Sequence, residues 1–65
     1  MTAELRVNVV RNEIGALVVE RQRLREGGAE ADALERNRLA IVQAQRELGF
    51  ALVTLYLRPA QPQVA

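Results

Sequence analysis

The sequence contains no cysteine and no histidine. Without cysteine, no disulfide can stabilise the chain and no thiolate can hold zinc or an iron–sulfur cluster. Without histidine, the commonest metal ligand and the commonest general base are missing. Lysine is absent as well, because all nine basic residues are arginines, which excludes a Schiff-base or P-loop lysine. We therefore expect no metal, no cofactor and no enzymatic activity.

Long apolar segments are also scarce. The longest, Leu48 to Leu57, is interrupted only by the hydroxyls of Thr54 and Tyr56 and is bounded by Glu47 and Arg58. A transmembrane helix needs about 20 apolar residues, so this segment is too short to span a bilayer. The first residues, MTAELRVNVV, do not form a basic region followed by an apolar core, as a secretory signal would. We expect a cytoplasmic protein that does not enter a membrane.

Proline occurs only at positions 59 and 62, so helix-forming residues continue without a proline for most of the chain. Gly27 and Gly28 interrupt them, and we expect Gly27 to adopt the left-handed conformation that ends a helix. Asp32, with Glu35 three residues later, has the spacing of a capping box and so predicts a new helix start. The prediction is an all-α helical hairpin over 1–58, with a helix at 3–26, a turn at 27–31 and a helix at 32–57. The proline-containing tail, 59–65, is predicted to be flexible.

Apolar residues in both predicted helices recur at intervals of three, four or seven, as one face of a helix requires. A short connection favours antiparallel neighbours, and the resulting register pairs Leu24 with Leu34 and Val10 with Leu48. The same register places Arg21 opposite Asn37, where the pair either fixes the register or lets Arg21 extend past Asn37 to solvent. The predicted hairpin core consists of Val7, Val10, Ile14, Leu17, Leu24, Leu34, Ile41, Leu48, Leu52 and Leu55.

A second set of apolar residues remains on each helix after the hairpin core is assigned. A chain of this length is marginally stable alone, and monomers rarely expose large apolar patches. The hairpin is therefore predicted to dimerise into an antiparallel four-helix bundle with coiled-coil packing, and Gly15 and Gly49 are predicted to permit close approach of helices. Dimer or tetramer, and a parallel or antiparallel arrangement of the hairpins, remain open. The predicted oligomer interface consists of Leu5, Val9, Ala16, Val19, Leu39, Val42, Gly49, Phe50, Val53 and Leu57.

Charged residues concentrate near the turn, although the formal net charge is only +1. Nucleic-acid-binding domains usually carry a larger basic excess, and carboxylates are interleaved with these arginines, which favours a salt-bridged surface. A site for an anion or a nucleic acid is the alternative, because the arginine guanidinium suits phosphate. The candidate residues for such a site are Arg21, Arg23, Arg25, Arg36 and Arg38.

In size and layout, the predicted bundle resembles Rop, the plasmid RNA-binding four-helix bundle. This resemblance concerns architecture and not motifs, and a shared fold does not confer function. Two hypotheses follow. The first is a non-enzymatic interaction module, an adaptor or small regulator that acts by self-association and by contacts with another helical protein. The second is a Rop-like nucleic-acid-binding regulator that uses an arginine face.

Overall fold

The computed structural model of the protein describes residues 2–57, and these form two α-helices packed against each other. Helix α1 spans Ala3–Glu26 and helix α2 spans Ala31–Tyr56. At about 1.5 Å per residue, both helices are nearly 40 Å long. Buried residues occur from Val7 to Val10 in α1 and from Asn37 to Ala51 in α2, where the two helices pack against each other. The predicted all-α hairpin is therefore confirmed. The predicted tail, 59–65, lies outside the described residues.

Helix α1 begins where the sequence places it, and a side chain caps its first turn. The Thr2 hydroxyl accepts a hydrogen bond from the Leu5 backbone N–H at 3.1 Å, which satisfies one of the free donors of the helix start. Helix α2 starts one residue earlier than predicted, with Glu30 as its N-cap and no side-chain capping bond. The predicted capping box at Asp32 and Glu35 is therefore wrong: Asp32 lies inside the first turn, and the Glu35 carboxylate instead binds Arg38.

The turn between the helices is a Schellman motif centred on Gly28. The Gly28 N–H donates to the Arg25 carbonyl at 3.2 Å, and the Ala29 N–H donates to the Leu24 carbonyl at 2.9 Å. Gly28 has φ +68°, whereas Gly27 has φ −83°. The prediction that Gly27 adopts the left-handed conformation is therefore wrong by one position. The two glycines are adjacent in the sequence, and the chain reverses direction one residue later than predicted.

Replacement of Gly28 by alanine is expected to destabilise the hairpin by about 1 kcal/mol, because a Cβ atom is unfavourable at positive φ. Gly27→Ala is the matched control. Its backbone is compatible with any residue, and the added Cβ would lie 3.3 Å from the Arg23 carbonyl oxygen, so a smaller loss is expected. Urea unfolding monitored by circular dichroism measures both. An equal or larger loss for Gly27→Ala would contradict the assignment of the turn.

The core between the helices follows a seven-residue repeat in α2. Asn37, Ala44 and Ala51 are buried, whereas Leu34, Ile41, Leu48 and Leu55 are half-buried beside them. Val7 and Val10 are the buried residues of α1, and Ile14, Leu17 and Leu24 are half-buried. All the residues predicted for the hairpin core thus lie at least half-buried. The most buried positions of α2, however, are the small or polar residues, which the sequence-based core omits.

Candidate functional site

Arg21 and Asn37 form a polar contact between the two helices, in the half of the hairpin nearer the turn. Asn37 Nδ2 donates a hydrogen bond to the Leu17 carbonyl oxygen at 3.0 Å. Arg21 Nη1 donates longer bonds, of 3.4 Å each, to Asn37 Oδ1 and to the Leu34 carbonyl oxygen. Asn37 is buried and Arg21 is half-buried, so water cannot fully solvate their polar atoms. These hydrogen bonds satisfy those atoms instead. The predicted juxtaposition of the two residues is confirmed, and a role of the pair in fixing the antiparallel register stays a prediction.

The arginines near the turn do not form one cluster. Arg21 is engaged in the hairpin core, and Arg38 binds Glu35 through two nitrogens, with the shortest contact at 2.6 Å. The hydrogen bond from Arg38 holds the pKa of the exposed Glu35 carboxyl below its ordinary value. Because this pKa is lowered on folding, the pair stabilises the hairpin above the ordinary glutamate pKa and ceases to do so as Glu35 protonates at lower pH. Arg23, Arg25 and Arg36 are exposed.

The charged residues beside the helix contact are distributed unevenly by sign between the two sides of the hairpin. Arg11, Arg25 and Arg38 each come directly after a core residue in the sequence. In two antiparallel helices such residues lie on the same side of the hairpin, which we call the basic flank. Glu13 and Glu20 precede core positions of α1 and lie on the other side, together with Glu47 of α2; this is the acidic flank. A shallow groove on this same side is lined by residues of both helices, among them Glu20, Ala33 and Ala40. Arg36 also lines this groove, and Glu35 binds Arg38, so each flank contains charge of the opposite sign as well.

The predicted interface residues lie on the outer faces of the helices. Leu5, Val9, Val19, Leu39, Phe50, Val53 and Leu57 are all large apolar residues with at least about two-fifths of their surface exposed. Ala16 and Gly49 are exposed as well, and Val42 is half-buried. At about 100° per residue, both outer stripes point roughly 150–170° away from the helix contact. Outside this set, Tyr56 and Val18 are also large apolar residues with comparable exposure.

Gly15 and Gly49 do not permit a close approach within the hairpin, because a Cβ built at either position meets no atom within 4 Å. These glycines therefore do not bring α1 and α2 together, and a close approach of helices from a second chain stays a prediction. Gly49 instead leaves a shallow apolar depression on the outer face of α2, lined by Arg46, Gly49, Phe50 and Val53. The depression opens to solvent beside the most exposed apolar side chain, Phe50.

Residues 2–57 contain no group of three or more acidic side chains placed to hold a metal ion. Neither helix combines the length and apolarity that crossing a membrane requires. Comparison of the chain with family models, with curated proteins and with solved structures finds no match. The surface of the hairpin itself is therefore the basis for a functional proposal.

Proposed function

We propose that the protein is a non-enzymatic helical interaction module that associates with a second copy of itself. The observation that carries this proposal is the set of large apolar side chains exposed on the outer faces, above all Phe50, Val53, Tyr56 and Leu57 near the end of α2. Single exposed apolar residues are ordinary, but a contiguous group marks an interaction surface. Burial of apolar surface contributes about 25 cal/mol per Å², which is substantial for a hairpin with one layer of core.

The four-helix bundle predicted from the sequence is one arrangement of such a dimer. In a four-helix bundle with a square cross-section, the directions from one helix to its two neighbours differ by about a right angle. Two hairpins would therefore pack face to face, with one flank of each against the same flank of the other. Two basic flanks would bring Arg11, Arg25 and Arg38 of both copies together, offset only in part by Glu35, and two acidic flanks would oppose glutamates, offset only in part by Arg36. Like charges in contact are unfavourable, and the outer stripes would stay exposed. Association through the outer faces avoids both costs.

The double substitution Phe50→Glu, Val53→Glu is expected to lower self-association at least a hundredfold, because it places two carboxylates on the outer face of α2. Sedimentation equilibrium over 1–100 µM would measure the dissociation constant, and circular dichroism would report whether the hairpin persists. The matched control, Val18→Glu with Gln45→Glu, adds the same charge to exposed positions of the basic flank. A wild-type chain that remains monomeric over this range would overturn the proposal, whereas a loss only in the control would favour the face-to-face bundle.

Binding of nucleic acid, as in Rop, is the second candidate function, and the basic flank favours it. Arg11 and Arg25 are exposed on this flank, and Arg38 shares its charge with Glu35. A contact of two or three arginines with phosphates predicts weak binding. A plot of the logarithm of the association constant against the logarithm of the salt concentration should then have a slope of about −2 to −3. Gel-shift titrations with duplex RNA and DNA at several salt concentrations test this. Arg11→Gln with Arg25→Gln should abolish any shift, and binding that survives this change would contradict a role for the flank.

A further inference from the structure

We infer that the second copy docks on α2, with the two α2 helices antiparallel and the outer face of each covering the other between Val42 and Leu57. This inference rests on the proposed self-association and names the surface and the register. The contact is a two-fold one, in which Phe50 of each chain lies level with Gly49 of the other. Three observations carry it: the shape of the patch, the distribution of its charges and its area.

The shape of the patch is self-complementary. Phe50 is 74% exposed, and the neighbouring Gly49 leaves open space where other residues carry a Cβ. In an antiparallel pair centred between positions 49 and 50, the protruding ring of one chain lies at the height of the depression of the other, and the exchange is reciprocal. The same register places Val42 against Leu57 and the aliphatic part of Arg46 against Val53. Because the contact is isologous, it closes at a dimer and leaves no free copy of the patch.

The charges favour this register over its neighbours. Arg46 is the one charged residue that lines the depression, so a pair centred on position 46 would oppose two guanidinium groups. Centring the contact between positions 49 and 50 separates the two Arg46 positions by about 10 Å along the helix axis. The charged outer residues near the start of α2, Asp32, Glu35 and Arg36, then lie beyond the contact and stay in water.

The area is sufficient for a small interface. Phe50, Val53, Tyr56 and Leu57 are each at least half exposed, and Val42 is half-buried. Covering these side chains removes on the order of 500 Å² from each chain, because a large side chain presents roughly 150–250 Å². Standard interfaces bury about 800 Å² per partner, so this contact falls near the lower end of specific interfaces. The outer face of α1 offers less, since Asn12 and Arg23 interrupt its apolar residues.

Introduced cysteines test the register, because the chain has no thiol of its own. Arg46→Cys and Val53→Cys are each exposed in the single chain, and in the proposed dimer position 46 faces position 53 of the partner. A disulfide needs Cβ atoms about 4 Å apart. Oxidation of an equimolar mixture should therefore give the mixed disulfide, whereas either variant alone should cross-link at least tenfold more slowly. Circular dichroism of each variant checks that the hairpin is folded.

The controls separate this inference from self-association in general. Rapid cross-linking of each variant alone would show parallel α2 helices, and cross-linking of Val53→Cys with Leu5→Cys would show docking on α1; either result overturns the register while self-association stands. A wild-type monomer in sedimentation overturns both proposals. Gly49→Gln, which fills the depression, should weaken the dimer at least tenfold. Gly15→Gln adds the same side chain at an equally open position of α1 and should leave the dissociation constant unchanged.

Discussion

The double substitution Ala44→Leu, Ala51→Leu is expected to unfold the hairpin or force its helices apart. Ala44 and Ala51 are 3% and 1% exposed, and they occupy successive seven-residue steps of α2, level with Ile14 and Val7 in the register in which Arg21 meets Asn37. Each leucine adds three carbon atoms where the helices meet without spare space. Overpacking typically costs about 1–3 kcal/mol per site, and two sites together rival the few kcal/mol that a core of this size supplies.

Urea and thermal unfolding, followed by circular dichroism, would measure this loss. Ala31→Leu is the matched control, since it adds the same atoms at an exposed position in the first turn of α2. A change within about 0.5 kcal/mol is expected there. If the double variant were as stable as the wild type, the alanines would not define the closest approach of the helices.

Asn37→Leu is expected to destabilise the hairpin by about 1–3 kcal/mol, because it leaves the half-buried guanidinium of Arg21 without its side-chain partner. The further change Arg21→Leu should reverse the loss. A buried polar pair replaced by well-packed apolar residues is often neutral or stabilising, since the desolvation of both polar groups is avoided. The double variant should therefore unfold at a urea concentration at or above that of the wild type.

The same pair is expected to specify the register, and this provides a second measurement. With leucine at both positions, the contact between the helices becomes uniformly apolar, and shifted or higher-order assemblies become competitive. Sedimentation of the double variant should show a broader distribution of species than the wild type. A destabilised double variant with a single species would contradict this account, because the pair would then contribute stability and not specificity.

The sequence by itself determined the helices and their pairing. Glycine and proline occur only where α1 ends, at two open positions within the helices and in the tail, and the three–four spacing of apolar residues recurs in both arms. These are local signals, since helix propensity and periodicity act over a few residues. They predicted α1 to the residue and α2 to within one residue at each end. They also predicted that Arg21 and Asn37 meet.

Tertiary structure decided which residues bring the helices closest, which glycine reverses the chain and how the charges are distributed. Hydropathy favours Leu48 over Ala51 as a core residue, yet the small residue is the more buried, because two helix backbones approach most closely where side chains are short. Adjacent glycines are equivalent in composition, and only the hydrogen bonds to the Leu24 and Arg25 carbonyls select Gly28. Acids and arginines mix along the chain, and the rotation of each helix about its axis determines that arginines predominate on one flank and glutamates on the other. That rotation is set by contacts between the helices, which sequence spacing alone does not specify.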